Sequence, residues 1–161
     1  MRDITLSDIK DLFETLLVLE RAVVALAARR MTQAGIGRLE RLNDQFRAAW
    51  GRQQYLEVTL VNSRFHREIY DTTGNEFMKS YLGSLQSQSQ RLAYICFTRP
   101  AAIDLDAHGD ESIADHRELI DGLKKKDEAG AVELITKHIQ RFRKRVADHM
   151  APALLNLKII A

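Results

Sequence analysis

Long stripes of apolar residues at helical spacing, seldom interrupted, set the tightest limit on how this chain can fold. Only 2 prolines and 8 glycines are spread over its 161 residues. A β-rich fold needs many tight turns and would use more of both, so the expected class is all-α. Residues 6–31 carry Ile9, Leu12, Phe13, Leu16, Leu19, Val23 and Leu26 along one helical face, with Thr5 or Ser7 as a cap. Gly35 and Gly37 interrupt the pattern, and a second helix is predicted over 37–50 with Leu39, Leu42, Phe46 and Trp50 on one side. A third is predicted over 54–72, with Val58, Asn62, Phe65, His66 and Ile69 inward, closed by a turn in which Gly74 suits a helix end.

The fourth helix, 76–97, contains Phe77, Tyr81, Leu85 and Leu92, yet its middle from Ser84 to Gln90 is polar for a core-lining segment. Arg99-Pro100 and 104–109 lack periodicity and read as a loop. A fifth helix over 110–124 places Ile113, His116, Ile120 and Leu123 on one face. The sixth, 127–152, starts at the candidate cap Asp127 and aligns Leu134, His138 and Phe142. The apolar tail from Leu154 to Ile160 is suited to packing on the bundle or on a partner. Residues 1–161 therefore read as one domain, an antiparallel bundle of six to seven helices.

Bulk properties exclude several functions. No run of 18 apolar residues crosses a membrane, and Met1-Arg2-Asp3-Ile4 does not begin a secretion signal. Cys96 is the lone cysteine, so no internal disulfide forms, and a cytoplasmic location is expected. A net charge of +2 is too small to mark a nucleic-acid surface.

Asn62 and His66 are one turn apart on one face, while His116 and His138 lie on the apolar stripes of two other helices. Buried imidazoles need polar partners. Either each is an ordinary core histidine bonded to a hydroxyl or to backbone, or the three share one metal, a known use of bundle cores. With a metal the plan also resembles a catalytic zinc site, for which Glu20 and Asp115 are the candidate bases. Without one the chain is a helical interaction module. His108, in the polar loop, and His149, near the end of the last helix, are expected to be solvated.

The order of several short stretches resembles the FCD domain, the C-terminal effector-binding domain of FadR-type regulators in the GntR family. These are Asp11-Leu12-Phe13 leading to Leu19-Glu20, then Ala27-Ala28, Asn62-Ser63-Arg64-Phe65-His66, Gly74-Asn75, Asp115-His116-Arg117, Asp127 with Ala131, and His138-Ile139. The resemblance spans nearly the whole chain. It implies a sensor rather than an enzyme, usually a homodimer, in which an Asp-x-x-x-His pair and two later histidines bind a divalent metal that holds a small organic acid. Carried over, the ligands are Asn62, His66, His116 and His138. Zinc or nickel suits the nitrogen-rich set best, with manganese or iron as alternatives. DNA would be bound by a winged helix-turn-helix that this chain lacks, as a truncation or fragment would.

Two departures stand out. Asn62 replaces the usual aspartate, so the protein supplies no negative charge to the metal and an acid from solution becomes the natural fourth partner. Leu16 stands where the family often has an arginine for the effector's carboxylate, one turn before Glu20. Arg91 on the polar fourth helix is the substitute the sequence offers, with Gln86, Ser89 and Gln90 as further effector contacts.

Overall fold

A computed structural model describes residues 6–98 and 105–157, with side chains described for 7–98 and 108–150. Six helices run α1 (Leu6–Arg30), α2 (Gln33–Gly51), α3 (Tyr55–Thr72), α4 (Glu76–Thr98), α5 (Leu105–Lys125) and α6 (Glu128–Leu157), and the described residues contain no strand. Two or three residues join α1 to α2, α2 to α3, α3 to α4 and α5 to α6. Such short links put consecutive helices side by side. Accordingly α3 packs on α2, α4 and α1, while α6 packs on α1, α5 and α4. Thr5 and 99–104 lie outside the described residues, as do the last residues of the apolar tail, whose first part continues α6.

Helix ends follow local chemistry. Asp127 Oδ1 accepts from the Gly130 backbone N–H at 3.0 Å, the cap expected from its position. A Cβ at Gly130 would come within 2.2 Å of Asp127 Oδ2, so a side chain there would displace the capping carboxylate. Gly74 has φ +62°, the left-handed conformation that glycine adopts without cost, just after α3. Two boundaries differ from the sequence expectation. α2 begins at Gln33 rather than 37, because Thr32 caps it by accepting from Gly35 N–H at 3.1 Å, so both glycines lie inside the helix. α5 begins at Leu105 rather than 110, absorbing half of the stretch read as loop.

The main core runs between α1 and its neighbours, with Val23, Val24, Leu39, Ile69, Leu82, Leu123 and Ile135 all buried. A second cluster, Phe46, Ala49, Trp50, Val58 and Val61, fills the space between α2 and α3. Trp50 meets Phe97 edge to face at 5.3 Å and Tyr55 at 5.8 Å. Gly109 lets the first turns of α5 pass directly over this ring. A Cβ at Gly109 would lie 1.8 Å from Trp50 Cε2. The ring is held on its other sides and cannot yield cheaply. Gly109→Ala is expected to cost about 3 kcal/mol through overpacking. A lower urea midpoint at unchanged slope, with a shifted emission of the single tryptophan, is the readout.

Candidate metal centre

α4 explains its own polarity. Its buried face is Leu82, Gln86, Ser89, Leu92 and Cys96, and its middle borders a cavity of about 50 Å³ instead of solid core. Phe77 and Tyr81 point to solvent. The cavity is lined by α1 (Leu16, Glu20), α3 (Asn62, His66), α4 (Gln86, Ser89, Gln90) and α6 (His138, Arg145). So small a volume admits only a compact ligand.

Three histidines converge beside it. One ring nitrogen of each of His66, His116 and His138 lies within 4.8 Å of the others. Ring centroids are 5.2–5.8 Å apart. His116 is 1% exposed, and Phe65 stacks on its ring at 4.1 Å. Its Nδ1 lies 3.2 Å from Asn43 Oδ1. Asn43 Nδ2 donates to the Ile113 carbonyl, which turns the amide oxygen toward the ring, so Nδ1 is the protonated nitrogen. His116 Nε2 is then a bare lone pair, buried and without a partner. His138 follows the same plan, donating from Nδ1 to Asp115 Oδ2 at 3.1 Å, while Asp115 is also held by Arg141. His66 Nδ1 stands 3.7 Å from Glu20 Oε1, too far for a hydrogen bond, and is unpartnered as well.

Burial pushes His66 down to about 3, reinforced by His138, and drives His116 well below its ordinary value. Both are neutral, lone-pair-bearing imidazoles at neutral pH. Orienting partners on Nδ1, two free buried nitrogens and mutual approach from three helices are the features of a nitrogen-rich metal site, so the residues fit a divalent ion. Asn62, one turn before His66, lines the same cavity.

Glu20 behaves oppositely. It is 1% exposed, and burial raises its carboxyl to about 7 although Tyr70 donates to it. The two shifts set an acid–base optimum for the metal-free chain. With a folded value near 3 against 6.5, His66 gains a proton on unfolding within that window, so stability falls as pH drops from 6.5 toward 3, with His116 adding to the effect. Glu20, raised from 4.5 to about 7, instead loses a proton on unfolding, so its contribution is lost as pH rises from 4.5 through 7. Two histidines outweigh one carboxyl. Urea midpoints in chelator are expected to fall steeply below pH 6.5 and only shallowly above it; a flat profile would contradict the burial of these rings.

Among the residues singled out from sequence, Asn62, His66, His138, Gln86, Ser89 and Gln90 line the cavity, and His116 backs it. Arg91 does not join them. It is exposed and borders a separate shallow depression with Leu56 and Tyr94. The cation that reaches the cavity is Arg145, whose side chain is 11% exposed and 3.4 Å from Glu111. It lies seven residues after His138, hence on the same face of α6, a spacing that would have found it. Asn43 also had a signal, a polar residue interrupting the stripe of Leu39, Phe46 and Trp50. His108 sits within α5, 4.0 Å from Glu111, rather than in a loop, and His149 is buried rather than solvated. Cys96 is buried, its thiol pushed up to about 11.

Comparison with known proteins agrees with this architecture. Residues 11–141 match the FCD domain family. Among solved structures, Escherichia coli McbR/YncC superposes with TM-score 0.82 at 17% identity, over 92% of this chain and 72% of that one. Streptococcus agalactiae GntR gives 0.68 at 24% identity, over 84% of this chain and 58% of that one. No curated protein sequence matches the chain. FCD domains are ligand-sensing regulatory domains of GntR-family regulators, not enzymes. With a family match across most of its length and an all-helical fold to accompany it, this chain belongs to the FCD domain family.

Proposed function

We propose that the domain senses a small carboxylic acid held at a divalent metal by His66, His116, His138 and Asn62. One observation carries the reading: three imidazoles from three helices, those of His66 and His116 held neutral by burial, bring their nitrogens within 4.8 Å of one another at the wall of a cavity. Histidines satisfied by hydroxyls or backbone, the alternative, would leave no bare buried nitrogens, yet His66 Nδ1 and His116 Nε2 have none of these partners. When bound, the ion supplies a Lewis-acidic position for an oxygen anion. Zinc or nickel suits three imidazoles, with iron or manganese as lesser fits.

The protein's own residues do the rest. Asn62 brings no negative charge to the four ligands, so a carboxylate completes the set. Arg145 adds a second positive group, and Leu16, Phe46 and Phe142 exclude water. Binding would bias the packing of α6, which carries both His138 and Arg145, and so the DNA-binding domain of a cytoplasmic, homodimeric regulator of the FadR type. No described helix is long and apolar enough to cross a membrane.

A thermal-shift screen of small carboxylic acids on the zinc-loaded domain tests the reading. At least one acid should raise the Tm by several degrees with zinc and by nothing in chelator, and should be recovered unchanged. Equal stabilisation in chelator would remove the metal from the proposal, and turnover of the acid would make the site catalytic.

A further inference from the structure

The side of α4 turned away from the cavity carries a pattern of its own. Among the described residues, every exposed large apolar side chain except Val18 lies on α3 or α4: Leu56, Leu60, Phe77, Tyr81 and Tyr94. Exposed apolar area gathered in this way marks an interaction surface. On α4, Phe77, Ser84 and Arg91 recur every seven residues, and so do Ser80, Ser87 and Tyr94, three positions further on. All of these are exposed. That spacing is the seam of a two-helix coiled coil, laid along the outside of the bundle. Its centre is made of serines, small enough for a second helix to come close. Its two ends differ in shape. At one end Phe77 and Tyr81 stand out, 80% and 67% exposed. At the other, Leu56, Ser87, Arg91 and Tyr94 rim a depression between α3 and α4.

We infer that this face pairs with the same face of a second copy of the chain, α4 antiparallel to α4 about a two-fold axis at Ser84. Residues equally far on either side of Ser84 then face each other. Phe77 meets the partner's Arg91, and Tyr81 meets the partner's Ser87, at the mouth of the depression. Each copy supplies a projecting aromatic pair and receives one, the reciprocity of an isologous interface. Charge agrees with this register. The Arg91 guanidinium is brought to the partner's Phe77 ring and to the neighbourhood of the partner's Glu76, a side chain that is 82% exposed. A parallel pairing would set Arg91 against Arg91 and leave both depressions empty. The interface also reaches the inner site. Thr59 and Gln90 line the depression and the internal cavity alike, so one layer of side chains separates the partner's aromatics from the cavity. Pairing backs that wall and passes a shift of α4 from one copy to the other. The inference rests on the homodimeric part of the reading above and not on its metal.

Sedimentation velocity and thiol cross-linking of the chain test this. The wild type should sediment as a dimer. Phe77→Ala should weaken the dimer on the order of thirtyfold, as for an aromatic anchor seated in a partner's pocket. Ser84→Arg, which sets bulk and like charges on the axis, should leave a monomer. Both positions are exposed, so circular dichroism should report an unchanged helical fold in each variant. Ser84→Cys should join two copies through a short thiol cross-linker, whereas Val18→Cys, exposed on α1, should not. A dimer that survives both Phe77→Ala and Ser84→Arg overturns this face and leaves the homodimer standing. A dimer that Ser84→Cys does not cross-link overturns the two-fold at Ser84, and equal cross-linking through Val18→Cys overturns it as chance collision. A monomeric wild type overturns the inference and the homodimer together, and leaves the face to a different partner.

Discussion

Replacing His66 and His116 together by alanine is expected to abolish metal uptake. Elemental analysis of the zinc-loaded, desalted wild-type chain should give about one ion per chain, as for a single three-histidine centre. The double variant should give none, because His138 and the neutral Asn62 cannot hold an ion against water. The effect on stability is large. Free zinc at a thousand times its Kd adds about 4 kcal/mol to the folded state. For a domain of this length each kcal/mol moves Tm by roughly 2–4 °C, so chelation should lower the wild-type Tm by ~8–16 °C. The double variant should melt at the same temperature with and without zinc. Equal zinc in both proteins would end the metal reading, and the three rings would then be a core cluster with two unsatisfied nitrogens.

The second large effect concerns a residue that binds nothing. Phe65 is 1% exposed and lies face to face with the His116 ring at 4.1 Å. It also meets His66 edge-on at 5.7 Å. Phe65→Ala should cost ~3–5 kcal/mol, the usual range for deleting a buried aromatic ring. It should also free His116 to turn about its Asn43 hydrogen bond, so zinc affinity falls along with stability. Phe65→Leu should restore most of the stability but not the flat surface on which His116 rests. Urea midpoints and competitive zinc titrations on both variants measure this. If zinc affinity stays constant while stability falls, the ring is core packing alone.

Much of this arrangement was legible in the residues, for identifiable reasons. The helices could be read because a 3.6-residue period repeats over 19 to 30 residues in α1, α2 and α6, and errors of a few positions do not erase it. The three histidines could be read because each interrupts an apolar stripe. What escaped was non-local. Asp115 holds His138 from 23 positions away and Asn43 holds His116 from 73, distances over which no period carries information. The place of Gly109 inside α5 escaped because the ring it passes over, Trp50, lies on another helix. Arg91 stands out in the sequence because α4 is the polar helix. A rotation of one or two residues decides which side chain of such a helix faces in, and α4 turns Ser89 and Gln90 inward and Arg91 outward.

The route by which the three rings meet has a last consequence. α3 packs on α1, α2 and α4, and it meets α5 and α6 through side chains, Phe65 against His116 and His66 against His138. Without an ion, the wall carrying His66 and the wall carrying His116 and His138 open independently, and amide protons in each exchange at that wall's own rate. An ion shared by all three rings would rivet the walls together, so that neither opens without the other. Exchange protection would then rise in α3, α5 and α6 as a single unit. The seam between them is also where the cavity lies, so the same rivet would govern how often the pocket admits a solute.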